Sequence, residues 1–258
     1  MNRSCILFLL SVLMLLFHGC DSDTVTDAGL DNGEYTAFTF DHERNPGSSA
    51  EDFLRDDDYA DLVVEIQYMA GFRPHDDALD NLQSFLEERL HKTNITMLTP
   101  SEIPAEGQES YSASEVRELE SEHRKEFSEE NRLAVYFIVL DGEYVESNVL
   151  GIAHYNTSMA LFGETIAEVS DGIGQPSRSV IETTVIQHEI GHLLGLVNNG
   201  VEMQEPHQDE ENGFHCDDDR CLMYHAVNTS DFFLNLFGGS VPELYEQCIA
   251  DLRAAGGK

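Results

Sequence analysis

His188-Glu189-Ile190-Gly191-His192-Leu193-Leu194-Gly195 is the stretch that organises this chain. It lies in an apolar helical pattern expected from about 179 to 196. Ile186, Ile190, Leu193, Leu194 and Val197 form a core stripe there, while Ile181, Val185, His188 and His192 lie on another face. Two histidines four residues apart on a helix stand one turn apart and point the same way. Their imidazoles can therefore meet one zinc ion, and Glu189 beside them can reach a water on that ion. A merely solvated helix face has no use for Gly191 and Gly195, each costing about 1 kcal/mol relative to alanine in a helix interior. Gly195 makes sense where the chain must turn sharply towards a third ligand.

The H-E-x-x-H pattern is that of zinc peptidases. With Gly195 three residues past the second histidine, the stretch resembles the metzincin metallopeptidases, whose pattern is H-E-x-x-H-x-x-G-x-x-H followed by a turn containing Met. The chain departs from that pattern at Asn198, which occupies the third-ligand position, and an amide is a poor zinc ligand beside imidazole. Two later histidines are candidates, His207 and His215. In matrixins the third histidine commonly precedes the turn Met by eight residues, as His215 precedes Met223. Archaemetzincins show H-C-x4-C-x-M, which His215-Cys216 through Cys221-Leu222-Met223 also matches. The resemblance thus implies zinc on His188, His192 and His215, displaced by seventeen residues from Asn198, with His207 as the rival third ligand. It implies Glu189 as general base, Met223 as the apolar floor under the metal, and Tyr224 next to it, where packing is the preferred role. The expected activity is a zinc endopeptidase with one catalytic ion, acting on extended protein or peptide substrates. The competing expectation is an inactive protein of the same fold acting as a binding module. Another is a zinc peptidase whose third ligand is a Glu on a later helix, against which Gly195 and Met223 argue.

Outward from this helix the pattern is α+β. Leu62–Ile66 reads as a buried strand, and Pro74 leads into a helix carrying Leu79, Leu82, Phe85, Leu86 and Leu90. Ile95–Leu98 is a second strand. Ser112 and Glu115 fit a capping box for a very polar, surface helix through Phe127. Leu133–Leu140 is apolar throughout, as a central strand should be. Val149–Ala153 and Thr157–Phe162 read as further strand, and Ser240 with Glu243 fits a capping box for a last helix from about Val241 to Ala254. The resemblance implies a mixed twisted sheet with an edge strand over the active-site helix, then the Met turn and a C-terminal helix. It places the substrate strand in 151–160. His154, a fourth possible ligand by composition, is read as strand or loop structure because nothing ties it to the metal motif.

The domain layout expected is a lipoprotein signal peptide over 1–19, an acidic tether over 20–58 and a catalytic domain over 59–258. Arg3 and the apolar run from Ile6 to Phe17 have the length of a signal-peptide core. Gly19-Cys20 at its end resembles a bacterial lipoprotein cleavage site, although His18 departs from the usual residue there. Lipid on Cys20 would anchor a soluble domain at the cell envelope, periplasmic or surface-exposed, touching the membrane through that lipid alone. The formal charge of −35 excludes nucleic acid as a partner.

Of the remaining thiols, Cys216 and Cys221 are a candidate disulfide in an oxidising compartment. Archaemetzincins use cysteines of this motif, with a later C-x-x-C, for a second zinc. Only Cys248 follows here, on an apolar helical stripe. The four-thiolate site is thus incomplete, so no second zinc is expected and Cys248 should be a buried thiol.

Overall fold

The structure is a computed structural model and describes residues 39–235 and 239–258. In chain order its elements are α1 (Ala50–Leu54), β1 (Asp61–Met69), α2 (Asp76–Arg89), β2 (Asn94–Met97), β3 (Ser101–Ile103), β4 (Ser110–Tyr111) and α3 (Ala113–His123). There follow β5 (Arg132–Leu140), β6 (Glu143–Tyr144), β7 (Gly151–Tyr155), β8 (Ser158–Phe162), α4 (Gly163–Val169) and α5 (Arg178–Leu193). A 3-10 turn (His225–Asn228), α6 (Ser230–Asn235) and α7 (Glu246–Ala254) complete the chain.

The main sheet has the order β2-β1-β5-β8-β7, with β3 also pairing β1. Every pairing in it is parallel except β7 with β8. It is therefore a mixed α/β architecture with a mostly parallel sheet. Leu133–Leu140 of β5 are all fully buried, as their unbroken apolar run requires of a strand covered on both faces. Helices α2 and α5 contact each other and share one core with the inward side chains of β1, β5 and β8, among them Leu82, Leu86, Val64, Val135, Phe137, Leu161, Ile186 and Ile190. On the other side, Tyr111, Val116 and Leu119 pack with Tyr136, Ile138 and Phe162.

Only β7 of the expected 151–160 strand region is an edge. Asn156 and Thr157 turn the chain, and Ser158–Phe162 becomes the interior strand β8. The pairing of β7 with β8 is irregular between Ala153 and Tyr155. There His154 is buried against Glu120, with Nε2 2.6 Å from the carboxylate. The capping box on α3 forms as read, the Ser112 side chain accepting from the Glu115 backbone and the Glu115 carboxylate accepting from the Ser112 N–H. That helix is less superficial than its polarity suggests. Its Glu120 is buried with Arg124, whose guanidinium donates to Glu120 at 2.7 Å and to the Ala134 carbonyl at 2.9 Å.

Two boundaries differ from expectation. Ordered packing begins before residue 59: Phe53 and Leu54 of α1 are fully buried, and Asn156 donates to Ser49 Oγ and to the Asp41 carbonyl. A five-residue helix leaves no periodic trace in sequence. The last helix starts at Glu246 rather than near Val241. The stretch before it is held extended because the Glu243 carbonyl accepts from Leu222 N–H at 2.9 Å, so the Ser240/Glu243 box does not form. Cys20 and the signal segment lie outside the described residues.

Candidate metal centre

Helix α5 is capped by Ser177, whose side chain accepts from Val180 N–H, and runs to Leu193. Gly195 follows at φ +77°, a left-handed conformation in which a side chain would be strained. A Cβ there would also lie 2.9 Å from that of Ala50 and 3.0 Å from the Val201 nitrogen. The chain turns away at once, and Asn198 ends up exposed. The loop returns through His215.

His188, His192 and His215 come together, each offering a ring nitrogen within 4.8 Å of the others. Nε2 of His192 stands 3.2 Å from Nε2 of His188. Tetrahedral zinc at about 2.0–2.1 Å from each nitrogen sets such pairs about 3.3 Å apart, so the two rings are spaced for one ion. The tautomers agree with this. His188 Nδ1 donates to the Leu222 carbonyl at 2.8 Å, and His215 Nδ1 donates to the Asn212 carbonyl at 2.6 Å. Each Nε2 is then left with its lone pair facing the cluster. Nε2 of His215 is buried with no hydrogen-bond partner, the kind of orphan that a cation satisfies.

Burial and the neighbouring rings hold all three imidazoles below their usual pKa. His188 is brought down to about 3, chiefly by burial and secondarily by His215. His192 lies well below the normal range through burial, then His188 and His215, and His215 is lowered by burial. All three are neutral at physiological pH and available as ligands.

Glu189 opens into the same cleft. Burial pushes its carboxyl up to about 8, opposed by hydrogen bonds from Asn228 and from the backbone of Ala153. A cation held by the three imidazoles opposes that rise further. Asn228 Nδ2 lies 3.5 Å from Glu189 Oε1, and its own backbone is tied to the edge-strand region, Leu150 N–H donating to the Asn228 carbonyl at 2.9 Å. The cleft, about 400 Å³, is lined by Gly151, Ile152 and Ala153 of β7, by Glu189, His192 and His215, and by Asn45, Pro46, Asn199, Phe214 and Asn228. Asn228 and the Asn45-Pro46 wall carry no sequence signal; nothing in their local pattern points to a cleft.

Met223 is fully buried beneath α5. A Cβ on Gly191 would fall 2.2 Å from its sulfur, which explains a glycine in mid-helix. Gly191→Ala is expected to destabilise the chain by about 1–3 kcal/mol through overpacking, read from denaturant unfolding. Tyr224 packs against His225, ring centroids 4.3 Å apart, and does not line the cleft.

The rival His207 lies elsewhere: Nε2 is 2.7 Å from Asp251 and Nδ1 is 3.5 Å from the Cys216 sulfur. Cys216 and Cys221 form no disulfide, and they and Cys248 are buried free thiols.

No protein-family model and no curated protein matches the chain. Among solved structures it is similar to archaemetzincin from Methanopyrus kandleri, with 15% identity and a TM-score of 0.46 over 76% of this chain and 95% of that one.

Proposed function

We propose that this chain is a zinc-dependent endopeptidase that cleaves extended polypeptides. The observation carrying this reading is the convergence of three neutral imidazoles and Glu189 in one cleft beside the edge strand β7. His188, His192 and His215 would hold the ion, and bound zinc supplies Lewis acidity, polarising a carbonyl and acidifying water. Glu189 takes a proton from the attacking water and delivers it to the leaving amine. Asn228 holds that carboxylate in place. The outer edge of β7 aligns an extended peptide by backbone hydrogen bonds, and the walls around Phe214 and Pro46 meet its side chains. Met223 supports α5 from below, and Tyr224 serves packing.

The test is hydrolysis of an unfolded protein by the purified chain. Cleavage is expected to vanish with a chelator and return with zinc. Cleavage indifferent to the chelator would sink the reading.

The N-terminal part of the proposal is separate: cleavage after Gly19, lipid on Cys20, and residence at a bacterial cell envelope. No helix among the described residues is long and apolar enough to cross a membrane. Cys20→Ser is expected to move the chain from the membrane fraction to the soluble fraction; unchanged fractionation would contradict the anchor.

A further inference from the structure

We propose that His207, Cys216, Cys221 and Cys248 hold a second, structural zinc ion, and that this ion fixes the loop presenting His215. The inference concerns a site distinct from the catalytic cleft and stands whether or not the chain is a peptidase. It departs from the expectation of one ion drawn from the missing C-x-x-C. The fourth ligand comes instead from the segment inserted between Asn198 and His215.

Three of the four ligand atoms form one cluster, and Cys221 joins it through Cys248. Ligand atoms of His207, Cys216 and Cys248 lie within 4.8 Å of one another. The sulfur of Cys221 is 3.7 Å from that of Cys248, and the sulfur of Cys216 is 3.5 Å from His207 Nδ1. Zinc with Zn–S near 2.3 Å spaces sulfurs about 3.8 Å apart, and sulfur from imidazole nitrogen about 3.6 Å apart. A disulfide would use two of the three sulfurs and leave a thiol and an imidazole stranded. All four residues are at most 2% exposed.

The imidazole is oriented as a ligand. His207 Nε2 donates to the buried Asp251 carboxylate at 2.7 Å, leaving the Nδ1 lone pair facing the Cys216 sulfur. Asp251 is itself held by Gln204 N–H at 2.7 Å. A carboxylate behind a ligating histidine fixes its tautomer and strengthens it as a ligand. Binding would release the thiol protons to solvent as the thiolates form.

The ligands also sit where they matter to the other centre. Cys216 is bonded in sequence to His215, and its N–H donates to the Met223 carbonyl at 2.7 Å. Cys221 precedes by one residue Leu222, whose carbonyl orients His188. Cys248 belongs to α7, so the ion would join that helix to the loop carrying both features.

The experiment is metal analysis of the full chain with cobalt(II) replacing zinc. Two metals per chain are expected, one giving thiolate-to-cobalt charge-transfer absorption. His192→Ala should remove one metal and keep that absorption, while Cys248→Ser and His207→Ala should abolish it. X-ray absorption of the zinc-loaded wild type, which depends on no variant, should show sulfur ligation. A sulfur-ligated metal alone would remove the catalytic proposal and leave this one standing. Nitrogen and oxygen ligation only, in wild-type protein, would overturn it. Cys248→Ser should also weaken zinc at the histidine site about tenfold or more; unchanged affinity there would overturn the coupling.

Discussion

Glu189→Ala is expected to lower kcat by about 10²–10⁴-fold, the usual range for a lost general acid–base group, while zinc content stays at the wild-type level. The carboxylate is not among the groups that converge: those are the imidazoles of His188, His192 and His215, and Glu189 meets Asn228 and Ala153 instead. Its removal empties a position that already faces the cleft. It also relieves the chain of a buried acid whose charged form burial opposes. Folding should therefore survive and stability should not fall. Glu189→Gln separates shape from chemistry, because it keeps the side-chain volume and lacks a basic carboxylate. Both variants are expected to lose kcat to a similar degree with substrate binding nearly intact. Steady-state kinetics on a peptide, with zinc measured in the same samples, checks this. Retention of most activity in Glu189→Gln would remove Glu189 from the mechanism.

His215→Ala is expected to weaken zinc at the histidine site by about 10²–10³-fold, and to abolish hydrolysis at limiting zinc. The magnitude follows from a quarter share of the roughly 10–16 kcal/mol with which four-coordinate protein sites bind zinc. Removing this ring takes away the Nε2 that is buried without a protein partner. Asn198→Ala provides the contrast. Asn198 is exposed, in a left-handed conformation at φ +62°, and should leave zinc affinity unchanged. Competition with a chromophoric chelator measures both. Equal affinities in wild type and His215→Ala would mean that another group completes the site.

What the sequence made legible was local. The Ser112/Glu115 box, the unbroken β5 run and the i, i+4 histidines all act within a few residues, and they appear where their spacing puts them. His215 was legible through its distance from Met223 and the H-C-x4-C-x-M match, and not through the helix motif, because the insertion after Asn198 breaks the continuous pattern. The features that escaped depend on partners far along the chain. The start of α7 is set by Glu243 pairing with Leu222, and α1 by a core to which it contributes Phe53 and Leu54. Asn228 reaches Glu189 from across the cleft, and His207 finds Asp251 forty-four residues away. No periodicity encodes such pairings, since either partner alone has the look of an ordinary polar loop or helix residue.

The central claim is that His188, His192 and His215 share one zinc ion. Crystals of the zinc-loaded chain, measured on both sides of the zinc absorption edge, test it most directly. The account predicts an anomalous peak about 2.0–2.1 Å from Nε2 of all three rings, with Glu189 outside the ligand sphere. No peak there, or one held by His188 and His192 with His215 turned away, would contradict it.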